Sequence, residues 1–553
     1  MNSKENIGES RIPLSFAQEG LWVVEKVFGS LHYHIPLIFS VNGVLDLEVL
    51  EHACQSILAR HISLRTTFKQ DIDGQVFQET LDSNSWRLNY SEELIGKEEK
   101  DIQDYIDVLK LKPFNLEEDF LLRSWVLKTG SNSFKLVFIM HHIAFDGWSA
   151  HIFSHELKAF YNSRLRTIPA PLKELKYSYS DYAISQRQDP FQKKVADKIG
   201  YWEKKLDGLS TLDFPTDFLR PSIQSYKGNN YVFEIDPIDT NRIKVLAKEH
   251  KVTPYMVLLS IFNVFLYKYT GQEDIAIGTP VANRNSVNEQ EIIGFFVNSL
   301  VIRNDLSKTL PFIELLNSVK KTVLDAYRHQ EVPFDSVVRK LNTPLDNSRS
   351  ALFQIMFAMQ TNVGISSIEL GDTILDMDAL DYNTSKYDFT FSITGKANKY
   401  EVYLEYCTDL FKEETIITIS KHFRSLVNTI LTNPLLAIND YKLISEEEKD
   451  ELLVTLNNTG VDYPKDVTIL DLFKTQVTSN PESIALVYED HSLSYGDLDH
   501  RSSVLAKELI DKGVKKGDLV PICMDRSMEM IVGILGVLKS GGAYVPIDPM
   551  FPE

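Results

Sequence analysis

Cysteine is almost missing from this sequence. Three residues, Cys54, Cys407 and Cys523, occur in 553, too few for a disulfide framework. None stands in a Cys-x-x-Cys pair, which argues against a structural zinc site. Basic charge is also short. Lys and Arg number 58 against 77 Asp and Glu, a net charge of −19. With no basic stripe to neutralise phosphates, neither nucleic acid nor an anionic membrane is expected as a partner. No apolar run approaches the roughly 20 residues that a spanning helix needs. The first residues, MNSKENIGESRIP, are polar and carry neither the apolar stretch nor the cleavage site of a signal peptide. Short repeats, low-complexity tracts and long Pro or Gly linkers are missing too. The expectation is a soluble cytosolic protein. At about 150 residues per domain it holds three or four compact units. Its 43% hydrophobic and 24% charged residues are a globular balance rather than a disordered one.

What is present alternates between strand-like and helix-like stretches up to about residue 440. Leu47, Leu50, Cys54, Ile57 and Leu58 have helical spacing. Arg65 to Phe77 reads as a strand pair turning at Asp73-Gly74. Lys135 to Met140 is a continuous apolar run, as in a buried strand. Thr253-Pro254 is an N-cap with Pro at the first helical position; the apolar helix it opens stops at Gly271, and a strand is expected over Asp274 to Val281. After Asn433-Pro434 the character changes. Glu446 to Glu451 is a charge run read as a solvated surface helix, and Asn457 to Pro464 is turn-rich. From Thr468 the order is helix, strand, helix, strand, helix, strand. Helices are expected over Tyr495–Lys512, capped by Ser494 with Asp497, and over Arg526–Lys539. That βαβ order predicts a parallel sheet with helices on its faces. The chain stops directly after a strand, so a fragment of something longer is expected.

One constellation carries chemistry: Met140-His141-His142-Ile143-Ala144-Phe145-Asp146-Gly147-Trp148-Ser149. Two histidines close a buried strand, and an Asp-Gly turn follows. Successive strand side chains point to opposite faces, so the two cannot easily share one ligand, and a metal pair is disfavoured. One faces a cleft and the other packs into the core. Histidine is the side chain that titrates nearest neutral pH. An acid beside it, or an arginine pairing with that acid, would fix the local geometry, and the uncrowded Gly147 amide can point at a developing oxyanion. The plainer reading of two histidines alone is a core pair with a surface turn; all four residues at this spacing favour function.

His141-His142-x-x-x-Asp146-Gly147 is the HHxxxDG signature, and here the sequence resembles the condensation domains of nonribosomal peptide synthetases. Leu14-Ser15-Phe16-Ala17-Gln18-Glu19-Gly20-Leu21-Trp22 is similar to the family's opening motif, with Gly20 where many members have Arg. Arg60-His61-Ile62-Ser63-Leu64-Arg65-Thr66-Thr67-Phe68 is similar to the second. Tyr179 to Ala183, Ile293 to Ser299, His329 to Asp335 and Ser348-Arg349 follow in family order, so the resemblance covers about residues 10 to 440. These motifs also have structural readings. Ser15 with Gln18 is a capping box, Phe16 and Trp22 are core, Arg65 makes buried ion pairs, and His61 and His329 are polar residues at element ends. In the tail, Leu493 to Leu498 and Leu538 to Pro549 resemble the first two motifs of an adenylation domain. The phosphate loop that follows them, and any carrier serine, are missing from this sequence. This chain is therefore not expected to activate an amino acid by itself.

The resemblance implies an α/β fold of two chloramphenicol-acetyltransferase-like lobes meeting in a V, N-lobe 10–175 and C-lobe 176–440. A linker over 441–465 and a partial α/β adenylation subdomain over 466–553 complete the chain. His142 would sit midway along a tunnel, positioning an acceptor amine and accepting its proton. Gly147 would donate to the oxyanion, and Asp146 would hold the site's architecture. His141 and Arg284 would be structural at the site, with Arg284 pairing across the lobes with Asp146. Trp148, Ser149, Asn298 and Ser299 are expected to line the substrate path, though Asn298 reads equally well as a strand-end cap. No metal or bound cofactor is implied. The phosphopantetheine arms of carrier proteins are the substrates, with a donor carrier acting in trans and adenylation and carrier domains downstream. Three alternatives stay open: a starter N-acyltransferase using acyl-CoA, an epimerisation domain sharing HHxxxDG, and an inactive scaffold that recruits partners. The adenylation-like tail speaks against the first two and the intact His142, Asp146, Gly147 and Arg284 against the third.

Overall fold

The computed structural model describes residues 11–29, 31–307, 309–343, 346–360, 367–378 and 384–550. The chain forms two compact units that divide between Glu448 and Lys449, inside the expected linker.

The larger unit is built on two six-stranded sheets. In the N-lobe sheet, His34–Asn42 pairs antiparallel with Ser133–His141, placing His34 opposite His141. Leu136, Phe138 and Met140 pack on one side with Phe39, Phe153 and Leu50. Val137 and Ile139 pack on the other with Leu14, Leu21 and Phe68. A strand buried on both faces has no polar alternation to show, which is why it reads as one apolar run. Helix Leu47–Arg60, capped by Asp46, and helix Gly147–Arg166, capped by Asp146, lie in the first of these clusters.

This sheet does not respect the expected lobe boundary. Two strands from the second half of the chain extend it: Thr373–Met377 pairs onto His34–Asn42, and Ser367–Leu370 pairs onto Thr373–Met377. The Lys135 ammonium, 3.0 Å from the Asp378 carboxylate, fastens the extension.

The C-lobe sheet is mixed. Asp274–Val281 and Phe389–Lys396 run parallel to Ile355–Gln360, and the other pairs are antiparallel. Its core is the helix Pro254–Thr270, capped by Thr253 and buried from Met256 through Tyr267. No single described helix is long and apolar enough to cross a membrane. Pro237–Glu249 and Pro254–Thr270 would qualify only as a pair bent by 108°, and the second of them is core.

The smaller unit corrects one expectation. Strand Ile484–Tyr488 pairs antiparallel with His491–Ser494 as a hairpin. Only Leu519–Cys523 and Ala543–Ile547, joined through helix Met528–Lys539, form a parallel pair. Tight turn residues at 489 and 490 make the hairpin; Glu489 takes φ +53, and the turn returns the chain before a crossover can start. The Ser494–Asp497 capping box opens Tyr495–Asp511 as expected.

Candidate active site

The site begins where the strand Ser133–His141 ends. His141 follows Val137 and Ile139 onto their side of the sheet. It is fully buried, 5.6 Å from the Phe114 ring and 5.9 Å from the His34 ring between centroids. Its Nδ1 accepts a hydrogen bond from the Ile143 N–H at 3.1 Å, which ties the strand end to the turn His142–Ala144. Burial, then the neighbouring His34 and His142, push its pKa well below the ordinary value. His141 is a neutral core group.

His142 has left the strand and lines a cavity of about 390 Å³. Its ring meets Phe295 edge-on at 4.9 Å and Tyr33 at 6.0 Å. Burial, then the charge of Lys386, push its pKa down to about 3. The imidazole is therefore neutral at pH 7 and offers a lone pair to a donor. Around it stand Gly20 and Tyr33 from the N-lobe, and Ser299, Asp335, Lys386 and Tyr387 from the C-lobe.

Asp146 is completely buried and caps the helix Gly147–Arg166. Its Oδ1 accepts from the Ser149 N–H and the Ser149 hydroxyl, each at 2.8 Å, and its Oδ2 from the Phe296 N–H at 3.1 Å. Arg284 Nη2 reaches both oxygens, at 2.9 and 3.1 Å. The other arm of the guanidinium donates to the Glu289 and Ile292 carbonyls, and Phe296 lies under it at 4.2 Å. Burial lowers the arginine's pKa against the pull of Asp146. The pair thus locks the histidine turn to the segment 292–296. A second set of contacts does the same. The Ile293 N–H donates to His61 Nδ1 at 3.1 Å and Ser63 Oγ to the Ile293 carbonyl at 2.8 Å. His61 Nε2 and Arg60 each lie 2.8 Å from Glu156.

With this geometry in hand, the relatives are informative. The condensation-domain family model matches residues 8–453. The chain belongs to the condensation-domain family of nonribosomal peptide synthetases. The start of an AMP-binding enzyme matches residues 473–553. A linear gramicidin synthase component of Brevibacillus parabrevis is 38% identical over 99% of this chain, and bacitracin synthase 3 of Bacillus licheniformis 37% over 98%. The chain spans only 7% and 8% of those two proteins. A holo four-domain nonribosomal peptide synthetase bound to AMP and glycine superposes with a TM-score of 0.81 at 22% identity, over 100% of this chain and 43% of that one. The X-domain from teicoplanin biosynthesis superposes at 0.73 and 23%, over 79% and 98%.

Within this condensation domain the expected residues part company. His142 and Ser299 line the cavity, and Arg284 pairs with Asp146. Asn298 also borders the cavity, but its amide is spent on the 330–334 turn. It donates to the Gln330 and Val332 carbonyls at 2.8 and 2.7 Å and accepts from the Phe334 N–H at 3.0 Å. Ser149 does not line the cavity; it is buried against Asp146, Arg284 and the Gly294 carbonyl. Trp148 is 37% exposed and borders a different depression, with His151 and His155, its indole N–H donating to Gln290. Gly147 is exposed at the helix start and does not line the cavity. For Trp148 and Ser149 the reason is common: the Asp146 cap commits the chain to a helix, which turns each successive side chain by about 100°.

Two smaller expectations also change. Among the described residues Arg65 makes no ion pair; it donates to the Leu58 and Leu81 carbonyls at 2.9 and 2.6 Å. Phe16 lines the cavity rather than the core. Tyr33, Phe295, Asp335 and Lys386 were not singled out by sequence. Phe295 and Asp335 lie inside motifs that signalled them, whereas Tyr33 and Lys386 carry no local signal.

Proposed function

We propose that this condensation domain joins a donor acyl or peptidyl thioester to the α-amine of an acceptor aminoacyl thioester, both presented on phosphopantetheine arms of carrier proteins. The observation that carries the proposal is the neutral His142 imidazole in a cavity between two lobes locked by Asp146–Arg284. The amine nitrogen attacks the thioester carbonyl, a C–N bond forms, the C–S bond breaks, and the amine's proton ends on the released thiol.

An α-amine titrates near 8, so part of it is neutral at pH 7 without help. A ring held near 3 is a weak resting place for a full proton. His142 therefore orients the amine by accepting its N–H and takes the proton only as the bond forms. General-base help of this kind contributes about 10²–10⁴-fold, and alignment of two tethered substrates supplies the rest.

The test is amide formation between acyl- or aminoacyl-loaded donor carriers and aminoacyl-loaded acceptor carriers, with the wild type and His142→Ala side by side. Product from the wild type, cut at least about 10²-fold in the variant, supports the reading. Equal product from both removes His142 from the chemistry. No product from any donor favours a recruiting scaffold.

A further inference from the structure

With Gly147 outside the cavity, the charge that develops on the donor carbonyl oxygen needs another partner. Lys386 is the one cationic side chain among the described residues that line the cavity. Its ammonium lies over the face of Tyr33, 4.4 Å from the ring centroid, and the same tyrosine packs against His142. No hydrogen bond or ion pair engages the ammonium among the described residues. Glu405 acts on it through space, while a Glu405 oxygen accepts from the Lys386 backbone N–H at 3.2 Å.

The backbone beneath this side chain is held from several directions. Gln224 donates to the Lys386 carbonyl at 2.8 Å, and the Ser385 N–H donates to the Tyr226 carbonyl at 2.9 Å. Asp388 is gripped by Arg220. Gly228 lies so close that a Cβ there would sit 2.3 Å from the Thr384 carbonyl carbon, so only glycine permits the approach. A half-buried ammonium without a paired anion is costly, and here a well-tied backbone holds it over the Tyr33 ring that packs against His142.

We propose that the Lys386 ammonium is a catalytic group that holds the negative charge developing on the donor carbonyl oxygen during amide formation. This rests on the function proposed above. As the amine nitrogen bonds to the carbonyl carbon, the C=O π pair moves onto oxygen and meets the ammonium. When that pair returns, the C–S bond breaks and the sulfur leaves with its electrons, to be protonated by the hydrogen the amine has lost. The lysine N–H bonds stay intact throughout.

Burial lowers the Lys386 pKa to about 8, against the pull of Glu405. The groups around it are Tyr33, His32 and His142 on one side and Tyr226, Tyr387 and Glu405 on the other. Burial raises the three tyrosines and lowers both histidines, and it raises the Glu405 carboxyl above its ordinary value against the pull of Lys386. The rate should therefore rise as the acceptor amine deprotonates and fall as Lys386 does.

The experiment uses the full chain with leucyl- and octanoyl-loaded donor carriers and a glycyl-loaded acceptor carrier. Lys386→Met is expected to lower kcat about 10²–10³-fold, the usual effect of one lost oxyanion donor. KM for both carriers should stay within about threefold, and the melting curve should be unchanged. Lys386→Arg is expected to recover part of kcat and to lose the alkaline fall, because arginine stays charged. A Met variant with kcat within about threefold of wild type overturns the proposal alone. So does an Arg variant that keeps the wild-type alkaline limb, and this arm decides the matter if the Met variant melts early. A wild type inactive with every donor overturns the function and the proposal together.

Discussion

The His142 cavity and the packing behind it treat charge in different ways. Behind the cavity, where the histidine turn meets the segment 292–296, buried charges are closed on one another. Asp146 is shared by Arg284, Ser149 and the Phe296 N–H, and Glu156 by Arg60 and His61. Lining the cavity, Lys386 and Asp335 form no ion pair among the described residues, whereas Glu331, which also lines it, is closed on Lys194 and Lys198. Breaking a buried pair exposes an uncompensated charge and costs stability, so closed pairs hold shape. Charges left open contribute little to the fold and are available to a substrate. The contrast separates residues that build the site from residues that use it.

The largest effect is expected at the closed pair. Asp146→Ala strands the Arg284 guanidinium among Phe296 and backbone carbonyls. A cost of about 3–5 kcal/mol is expected, read as a lower midpoint for the unfolding of the larger unit in urea, with product formation lost alongside. A cost below about 1 kcal/mol would mean that the pair is not what fastens segment 292–296.

His142→Ala should do the reverse. It removes a neutral ring with an unpartnered Nδ1, so the urea midpoint should scarcely move while amide formation falls about 10²-fold or more. If both variants lose stability equally, the division between building and using residues fails.

The parts of the site that could be read from sequence are those fixed by local order. A strand buried on both faces ending in two histidines tells that they diverge, and the Thr253-Pro254 cap tells where a core helix starts. The Asp146–Arg284 pair came from the family resemblance, since 138 positions separate its members. Trp148 and Ser149 were misplaced because closeness in sequence was taken for closeness at the site, and a helix undoes that within one turn. Lys386 was missed for a different reason. Thr384-Ser385-Lys386-Tyr387-Asp388 reads as an ordinary polar turn. Its direction is set by Gln224, Tyr226, Gly228 and Glu405, which no local pattern connects to it. The addition of Ser367–Met377 to the N-lobe sheet was illegible on the same grounds.

Acid should expose the buried histidines. His142 and His32 are both held near 3, chiefly by burial. A histidine whose folded pKa is lowered must stay neutral in the native state, while the unfolded chain takes up a proton below about 6.5. Their stabilising contribution is therefore present above about pH 6.5 and is lost as pH falls toward 3. Each such group adds at most about 1.4 kcal/mol per pH unit to the slope. His142→Ala should flatten the acid limb of a stability-against-pH curve by about that much between pH 6 and 4. An unchanged slope would mean that His142 is charged in the native site.

The smallest effect is expected at the cavity. Gly20 lies inside the helix Phe16–Phe28, and a Cβ there would fall 2.4 Å from Asp335 Oδ2 and 3.3 Å from its Cγ. Gly20→Ala gains about 1 kcal/mol of helix propensity. It also forces the Asp335 carboxylate to swing, at a cost of about 0.5–1.5 kcal/mol if the new rotamer is poor. Because that carboxylate forms no hydrogen bond or ion pair among the described residues, with Arg339 acting on it only through space, the two terms should nearly cancel and the urea midpoint should stay put. The moved charge still faces the cavity, where one solvated charge contact is worth about 0.5–1 kcal/mol. KM for a carrier bearing a lysyl group should therefore change about two- to fivefold, and KM for one bearing a leucyl group should not. A loss of more than about 2 kcal/mol would place Gly20→Ala among overpacked core substitutions. Asp335 would then be clamped like Asp146 rather than open to the cavity.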